Sequence, residues 1–109
     1  PDEVVLMPLY PQYSAATSGS SIKEWKDVCR KNNYHVKTST ICCYPTDQNF
    51  INAHTKEIIK KIKDLKNFKL IFSAHGLPEK NIKKGDPYQW QVEQSVKKIV
   101  ESLNDENTR

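Results

Sequence analysis

Three short apolar runs, each followed by turn formers and then by a stretch with helical spacing, constrain the fold of this chain more than any other feature. The runs are Val4–Leu9, Thr38–Cys43 and Lys69–Ala74. Each is apolar without regular alternation, which is typical of strands that are covered on both faces. The order βαβαβα therefore predicts a three-layer α/β fold with a parallel sheet and right-handed crossovers.

Start signals for three helices follow the three runs. The stretch from Ser21 to Glu24 matches a capping box, and Asp47 is placed to cap the second helix. Asp86 followed by Pro87 predicts a cap and then a proline at the first helical position. Each helix has an apolar face, formed by Ile22, Trp25, Val28 and Cys29 in the first, by Ile51, Ile58, Ile62 and Leu65 in the second, and by Val92, Val96, Ile99, Val100 and Leu103 in the third.

Length and composition favour one unit over residues 1–109. The chain is 28% charged and 37% hydrophobic, which suits a single compact domain and leaves no second core. We expect neither a membrane anchor nor a secretory signal, because no apolar run is long enough and no basic leader precedes one. The chain opens at Pro1 without methionine, closes on polar residues from Asn104 to Arg109, and predicts only a thin sheet. We therefore expect a fragment of a longer protein.

Charge and cysteine usage exclude several classes. The net charge is +4, but Arg30 and Arg109 are the two arginines of the chain, and nucleic-acid binding normally uses arginine forks interleaved with aromatic residues. The three cysteines include one adjacent pair and no C-x-x-C, which fits neither a disulfide framework nor a zinc ribbon and predicts reduced thiols in the cytoplasm. On a strand, Cys42 and Cys43 would face opposite sides and could not hold one ion together.

Two connections are about twice the usual length of roughly two to six residues. They run from Pro8 to Ser20 and from His75 to Asp86, at the carboxyl ends of predicted parallel strands, where ligands of open α/β sheets bind. His75 has two interpretations: a histidine satisfied by backbone at a strand end, or a metal ligand or base at a site. Gly76 would let another backbone segment or a flat ligand approach closely.

The first long connection mixes aromatic rings with hydroxyls, among them Tyr10, Tyr13, Ser14 and Thr17. This pattern suits a flat, partly apolar ligand with polar edges, although hydroxyl-rich loops also cradle phosphate or simply lead into a helix. No glycine-rich nucleotide motif is present in the sequence.

Both connections closely resemble the ferrochelatase family, whose members insert ferrous iron into a porphyrin. The resemblance rests on Y-P-Q-Y-S within "LMPLYPQYSAATSGSS" and on S-A-H-x-L-P followed by G-D-P-Y within "FSAHGLPEKNIKKGDPY"; "TICCYPTDQNFINAH" fits less tightly. It covers nearly all 109 residues, which match the central part of a family chain. The resemblance implies a chelatase or flavodoxin-like α/β fold, His75 as iron ligand, proton acceptor or both, and Tyr13 and Ser14 as porphyrin-binding residues.

The resemblance also implies the wider setting of the reaction. The substrates would be ferrous iron and a porphyrin of the protoporphyrin IX type, and the longer protein a cytoplasmic lyase, with peripheral membrane association left open. The family's catalytic glutamate and its N-terminal pocket wall match no position here, and Glu79 is not a substitute. The remaining parts of the longer chain would thus complete the cleft, and the isolated segment is expected to be inactive. The iron–sulfur cluster of some members uses C-terminal cysteines that match no position here, so its presence stays open.

Two non-catalytic interpretations compete with this one. A receiver-type binding module would need acidic residues where the first predicted strand instead ends in Leu9, Tyr10 and Pro11. A metal-binding or sensor module would combine His75 with the thiols, since Cys42 lies at the end of a neighbouring predicted strand.

Overall fold

The structure, a computed structural model, describes residues 1–107; the side chain of Asn107 and the last two residues of the polar C-terminal stretch, Thr108 and Arg109, lie outside the described part. In chain order the elements are strand β1 (Glu3–Leu6), a one-turn π-helix (Ala15–Gly19), helix α1 (Ser20–Lys31), strand β2 (Lys37–Thr40), helix α2 (Gln48–Ile62), helix α3 (Glu79–Lys83) and helix α4 (Tyr88–Asn107).

The sheet consists of β1 and β2, which pair in parallel with Glu3 opposite Lys37 and Leu6 opposite Thr40. This confirms the predicted parallel arrangement for the first two apolar runs, whose order in the sheet was not predicted. Both strands are shorter than predicted. One reason at the end of β1 is Pro8, which lacks the N–H that would continue a ladder.

The third predicted strand, Lys69–Ala74, is not formed within residues 1–107, so the expected βαβαβα order is not reproduced there. The segment lacks a ladder of backbone hydrogen bonds to a neighbouring strand, and without such a partner an apolar extended segment does not become a strand. Its side chains are correspondingly open, with Ile71 77% exposed. The described fold is a mixed helix and strand structure with a small two-stranded parallel sheet.

The aspartate caps were predicted correctly, and the capping box was not. An Asp47 carboxylate oxygen accepts from the backbone N–H of Phe50 at 3.0 Å, at the start of α2. The first helical segment begins earlier than predicted, because the Ser14 hydroxyl caps the π-helix that runs directly into α1. Ser21 instead donates its hydroxyl to the carbonyl oxygen of Thr17 at 3.1 Å.

The short helix α3 lies inside the second long connection, where the sequence predicted no helix. It begins after Pro78, whose carbonyl oxygen accepts from the N–H of Asn81 at 2.9 Å. It stops at the turn formed by Gly85, whose φ of +94° lies in the left-handed region that favours glycine. Asp86 and the start of α4 follow directly after this turn.

The apolar core is small and lies where α2 packs on α4. Ile51, Ile99 and Leu103 are its buried residues, at 3%, 4% and 8% exposed, with Phe50, Ile58 and Ile59 packed against them. By contrast, no residue of α1 is buried. The radius of gyration is 18.0 Å, against about 13 Å for a compact domain of roughly 100 residues. The described chain is therefore flatter and more open than its length predicts.

A single carboxylate joins the two long connections, and we call its contacts the Asp86 bridge. One oxygen of Asp86 accepts from the N–H of Tyr88 at 3.0 Å and so caps α4. The other accepts from the hydroxyl of Ser14 and from the N–H of Ala15, each at 3.0 Å. The bridge thus fixes the start of α4 against the start of the π-helix.

Two further side chains of α4 hold the connecting segments. Gln91 accepts from the backbone N–H of Tyr13 at 2.7 Å. The buried hydroxyl of Ser95 donates to the carbonyl oxygen of Pro45 at 2.6 Å and accepts from the Gln12 amide at 2.9 Å. Because these side chains lie four residues apart on one helix face, α4 organises the connections that follow both strands.

No helix within residues 1–107 combines the length and the apolar character that crossing a membrane requires.

We predict that Asp86→Ala lowers the free energy of unfolding by about 2–4 kcal/mol, because it removes a helix cap and two bonds between the connections. The matched control is Asp47→Ala, which removes a cap with no such bridge and should cost about 1 kcal/mol. Urea denaturation followed by circular dichroism measures both. Equal losses for the two variants would contradict the bridge.

We also predict that Ile99→Ala costs about 2–4 kcal/mol, since it leaves a cavity between α2 and α4. Its neighbour Val100 is 38% exposed, and Val100→Ala should change stability by no more than about 0.5 kcal/mol. The same denaturation experiment compares the two. A loss of unfolding free energy in Val100→Ala as large as that in Ile99→Ala would contradict the placement of the core between α2 and α4.

Candidate functional site

His75 lies on the exposed segment between α2 and α3, directly after the apolar run. Its Nδ1 is 2.9 Å from the carbonyl oxygen of Gly76. A carbonyl oxygen only accepts, so Nδ1 carries the proton in this contact, and the lone pair of Nε2 remains available in the neutral ring. The structure therefore contains both features considered for His75: a backbone contact and an exposed ring able to bind a metal or take a proton.

The His75 ring borders a cavity of about 320 Å³, which we call the His75 cavity. Its walls come from the segment that follows the apolar run, from α3 and from the first turns of α4. They are formed by Ala74, His75, Gly76, Leu77, Ile82, Tyr88, Gln89, Val92 and Glu93. A Cβ atom placed on Gly76 would meet nothing within 4 Å, so this side of the cavity is open to a flat ligand.

Glu93 and Gln89 are wall residues that the sequence did not single out. Glu93 is exposed and accepts from the Gln89 side-chain amide at 3.1 Å. The signal that could have found them is the four-residue spacing on α4 after the Asp86 cap, which brings both onto the face that meets the histidine segment. Glu93 adds a carboxylate to a cavity that otherwise has one titratable imidazole and one phenol.

Tyr13 lies on a different cavity, of about 420 Å³, together with Asp86 and residues of α3. Its backbone is held by Gln91, and its ring packs against Gly19, where an added Cβ would lie 2.6 Å from the phenol oxygen. Within the described residues, Tyr13 and His75 therefore border two cavities on either side of α3 and the turn after it. They do not meet in one.

Ser14 is fully buried. Its hydroxyl donates to Asp86 and accepts from the N–H of Ala16 at 3.1 Å, so its only O–H proton is taken up by a protein group. Ser18, one turn further along, is also fully buried, and its hydroxyl has no hydrogen-bond partner within residues 1–107. Ser14 and Ser18 are interior groups here, and the ligand-facing role of Ser14 stays a prediction.

The end of β1 and the start of α1 enclose a larger apolar cavity of about 740 Å³, which we call the Tyr10 cavity. It is lined by Val5, Leu6, Met7, Pro8, Leu9, Tyr10, Ser21, Ile22 and Trp25. Its volume lies within the range of about 300–1,000 Å³ that is usual for small-molecule sites. It opens at the carboxyl end of β1, the place that the parallel-strand rule predicts for a ligand.

The adjacent cysteines contradict the expectation that they face opposite sides. Their sulfur atoms are 3.2 Å apart, because β2 ends at Thr40 and the alternation of a strand no longer applies at Cys42 and Cys43. The hydrogen bond with Cys43, together with partial burial, raises the pKa of the Cys42 thiol above its ordinary value.

Metal-ligating side chains do not form a larger cluster in the part of the chain that is described. No group of three or more histidine, cysteine, aspartate or glutamate side chains converges within residues 1–107. In a surface ion pair on α1, hydrogen bonding to Lys23 lowers the pKa of Asp27. His75 is thus a single imidazole donor on its cavity.

Comparison with known proteins gives one consistent result. The ferrochelatase family matches residues 1–109, the whole chain. A ferrochelatase of Pelagibacter ubique (strain HTCC1062) is 92% identical over 107 residues, which are 98% of this chain and 31% of the relative.

More distant relatives agree. A ferrochelatase of Rickettsia bellii (strain OSU 85-389) is 51% identical over 104 residues, covering 95% of this chain and 28% of its own length. One of Rickettsia felis (strain ATCC VR-1525 / URRWXCal2) is 49% identical over 105 residues, or 30% of its length. The chain thus spans less than a third of the length of these curated relatives. The resemblance inferred from the two connections is confirmed, and the chain belongs to the ferrochelatase family.

Proposed function

We propose that this chain is part of a ferrochelatase, a lyase that inserts ferrous iron into a porphyrin of the protoporphyrin IX type to form haem. The observation that carries the proposal is the exposed His75 ring on an open cavity, in a chain that matches the family from end to end. Ferrous iron is the substrate of this reaction. The same proposal places the reaction in the cytoplasm and leaves membrane association and an iron–sulfur cluster to the longer protein.

The proposed role of His75 follows from what metal insertion requires. The iron must lose water ligands, and two pyrrole N–H protons must leave the macrocycle. An imidazole whose Nδ1–H donates to a carbonyl keeps the lone pair of Nε2 free, so that Nε2 can bind iron or accept a proton. One ring serves either step without leaving its place.

The first long connection supplies the proposed porphyrin side of the site. A flat macrocycle needs apolar walls with a few polar groups at its edges, and the Tyr10 cavity with Tyr13 beyond it offers this combination. We propose that Tyr13 contacts the porphyrin. Ser14, whose hydroxyl donates to Asp86, would hold this connection in place beside the porphyrin.

We further propose that residues 1–109 form one α/β unit of a longer chain, whose remaining parts complete the cleft. In that protein Lys69–Ala74 would join the sheet as a third strand and restore the three-layer βαβαβα arrangement of a chelatase or flavodoxin-like fold. Two observations support this: the open shape of the described chain, and the apolar side chains left exposed along the first and third apolar runs, among them Val5, Met7, Leu9, Ile71 and Phe72. Uncovered apolar surface of this extent normally marks a contact with another element.

The alternative of a non-catalytic metal-binding or sensor module is not favoured. It requires His75 and the thiols to converge, and residues 1–107 contain no cluster of three such ligands. The His75 cavity has no cysteine in its wall.

We predict that His75→Ala lowers the rate of iron insertion by about 100-fold or more, the usual contribution of a positioned base. The host is the Pelagibacter ferrochelatase with this chain in place of its matching segment. The loss of porphyrin fluorescence as haem forms measures the rate, and porphyrin binding without iron should be retained.

The matched control is His35→Ala, because His35 is also exposed but does not border the His75 cavity. It should insert iron at the normal rate. Turnover by His75→Ala close to that of the unchanged chimera would refute the assignment.

We also predict that residues 1–109 expressed alone convert little porphyrin, because half of the proposed cleft is absent. The same fluorescence assay compares equal molar amounts of the segment and the chimera. Efficient haem formation by the segment alone would show that the described residues are sufficient and that the proposed division of the cleft is wrong.

A further inference from the structure

The adjacent thiols after β2 form a pair that the proposed iron chemistry does not use. Cys42 is exposed, Cys43 is half-buried, and their sulfur atoms lie 3.2 Å apart as free thiols. Neither borders the His75 cavity or the Tyr10 cavity. The pair is therefore a separate reactive feature of this surface.

A disulfide is a poor fit for this pair. Adjacent Cα atoms are separated by about 3.8 Å across a trans peptide bond, whereas disulfides normally need about 4.4–6.8 Å between Cα atoms. A bond between the two sulfurs would be strained and easily reduced. An atom inserted between the sulfurs avoids this strain, because no direct S–S bond has to form.

The sulfur separation also selects among inserted atoms. For an atom about 2.3 Å from both sulfurs, the length of a zinc–thiolate bond, the sulfur–atom–sulfur angle would be roughly 90°. A tetrahedral ion with such bonds prefers sulfurs about 3.8 Å apart and a total of four ligands. Within residues 1–107 no third histidine, cysteine, aspartate or glutamate joins the pair. The ligand that fits is a soft centre that needs only two protein sulfurs and forms bonds near a right angle.

We propose that Cys42 and Cys43 form a vicinal dithiol site for trivalent arsenicals and chemically similar thiophilic metalloids. A monosubstituted arsenical, R–As=O, would react with both thiols to give the cyclic R–As(S)₂ adduct and one water. Two S–H bonds and the As=O bond break, two As–S bonds form, and both protons leave with the oxygen. Arsenic remains trivalent, so no oxidant or reductant is needed.

The residues around the pair leave Cys42 open to a reagent and connect Cys43 to α4. Cys42 is exposed to an incoming reagent. Cys43 accepts a hydrogen bond from the Gln91 amide at 3.6 Å. Gln91 is the side chain that holds the backbone of Tyr13, so the adduct would form beside the helix face that organises the first connection.

The test uses phenylarsine oxide on the full-length chimera described above, followed by glutathione in excess and by mass spectrometry of tryptic peptides. Trypsin separates the cysteines cleanly, because Cys42 and Cys43 share the peptide of residues 38–56 while Cys29 lies in residues 27–30. We expect one phenylarsenic group on the 38–56 peptide, retained in glutathione and removed by dithiothreitol.

Single substitutions decide whether both sulfurs bind. Cys42→Ser and Cys43→Ser should each weaken retention by about 100-fold or more, since each removes the intramolecular second bond. Cys29→Ser, the matched control, should retain the adduct unchanged. Cys42 is the more informative position, because its exposed side chain is replaced without opening the interior. An unmodified 38–56 peptide in the unchanged chain, or an adduct that survives in Cys42→Ser, would overturn the proposal.

Discussion

The placement of the candidate site depends first on one carboxylate. Asp86 caps α4 with one oxygen and binds the start of the π-helix with the other, so a local helix signal and a tertiary contact share one side chain. Hydrogen bonds to a charged acceptor are the strong ones in proteins. Through this residue, the connection that carries His75 and the connection that carries Tyr13 are fixed against each other, although each would otherwise be a long surface loop.

Features of the fold that depend on nearby residues could be predicted from the sequence. Asp47 and Asp86 cap their helices as expected, because a cap needs only a carboxylate and the next few N–H groups. The third strand could not be predicted with the same security, because strand formation needs a partner that the local pattern does not supply. The capping box at Ser21 failed for a related reason, since the π-helix beginning at Ala15 had already started the helical segment.

In the candidate site, too, features that depend on nearby residues were predictable and features that depend on tertiary packing were not. The position of His75 after an apolar run, at the start of a long connection, predicted an exposed ring on a cavity. The burial of Ser14 depends on how α4 packs against the first connection, which no short motif encodes. The cysteine pair was misjudged because the alternation rule was applied two residues beyond the end of β2, where the backbone is no longer extended in a ladder.

The distance along the chain between Ser14 and Asp86 has a consequence for the order of folding. The hydrogen bond between them spans 72 residues of the chain. Closing such a long loop costs conformational entropy before the new contact can stabilise the fold. Helices α2 and α4 can form from neighbouring residues well before this closure. The two long connections should therefore become aligned with each other in a late step of folding, after α2 and α4 have formed.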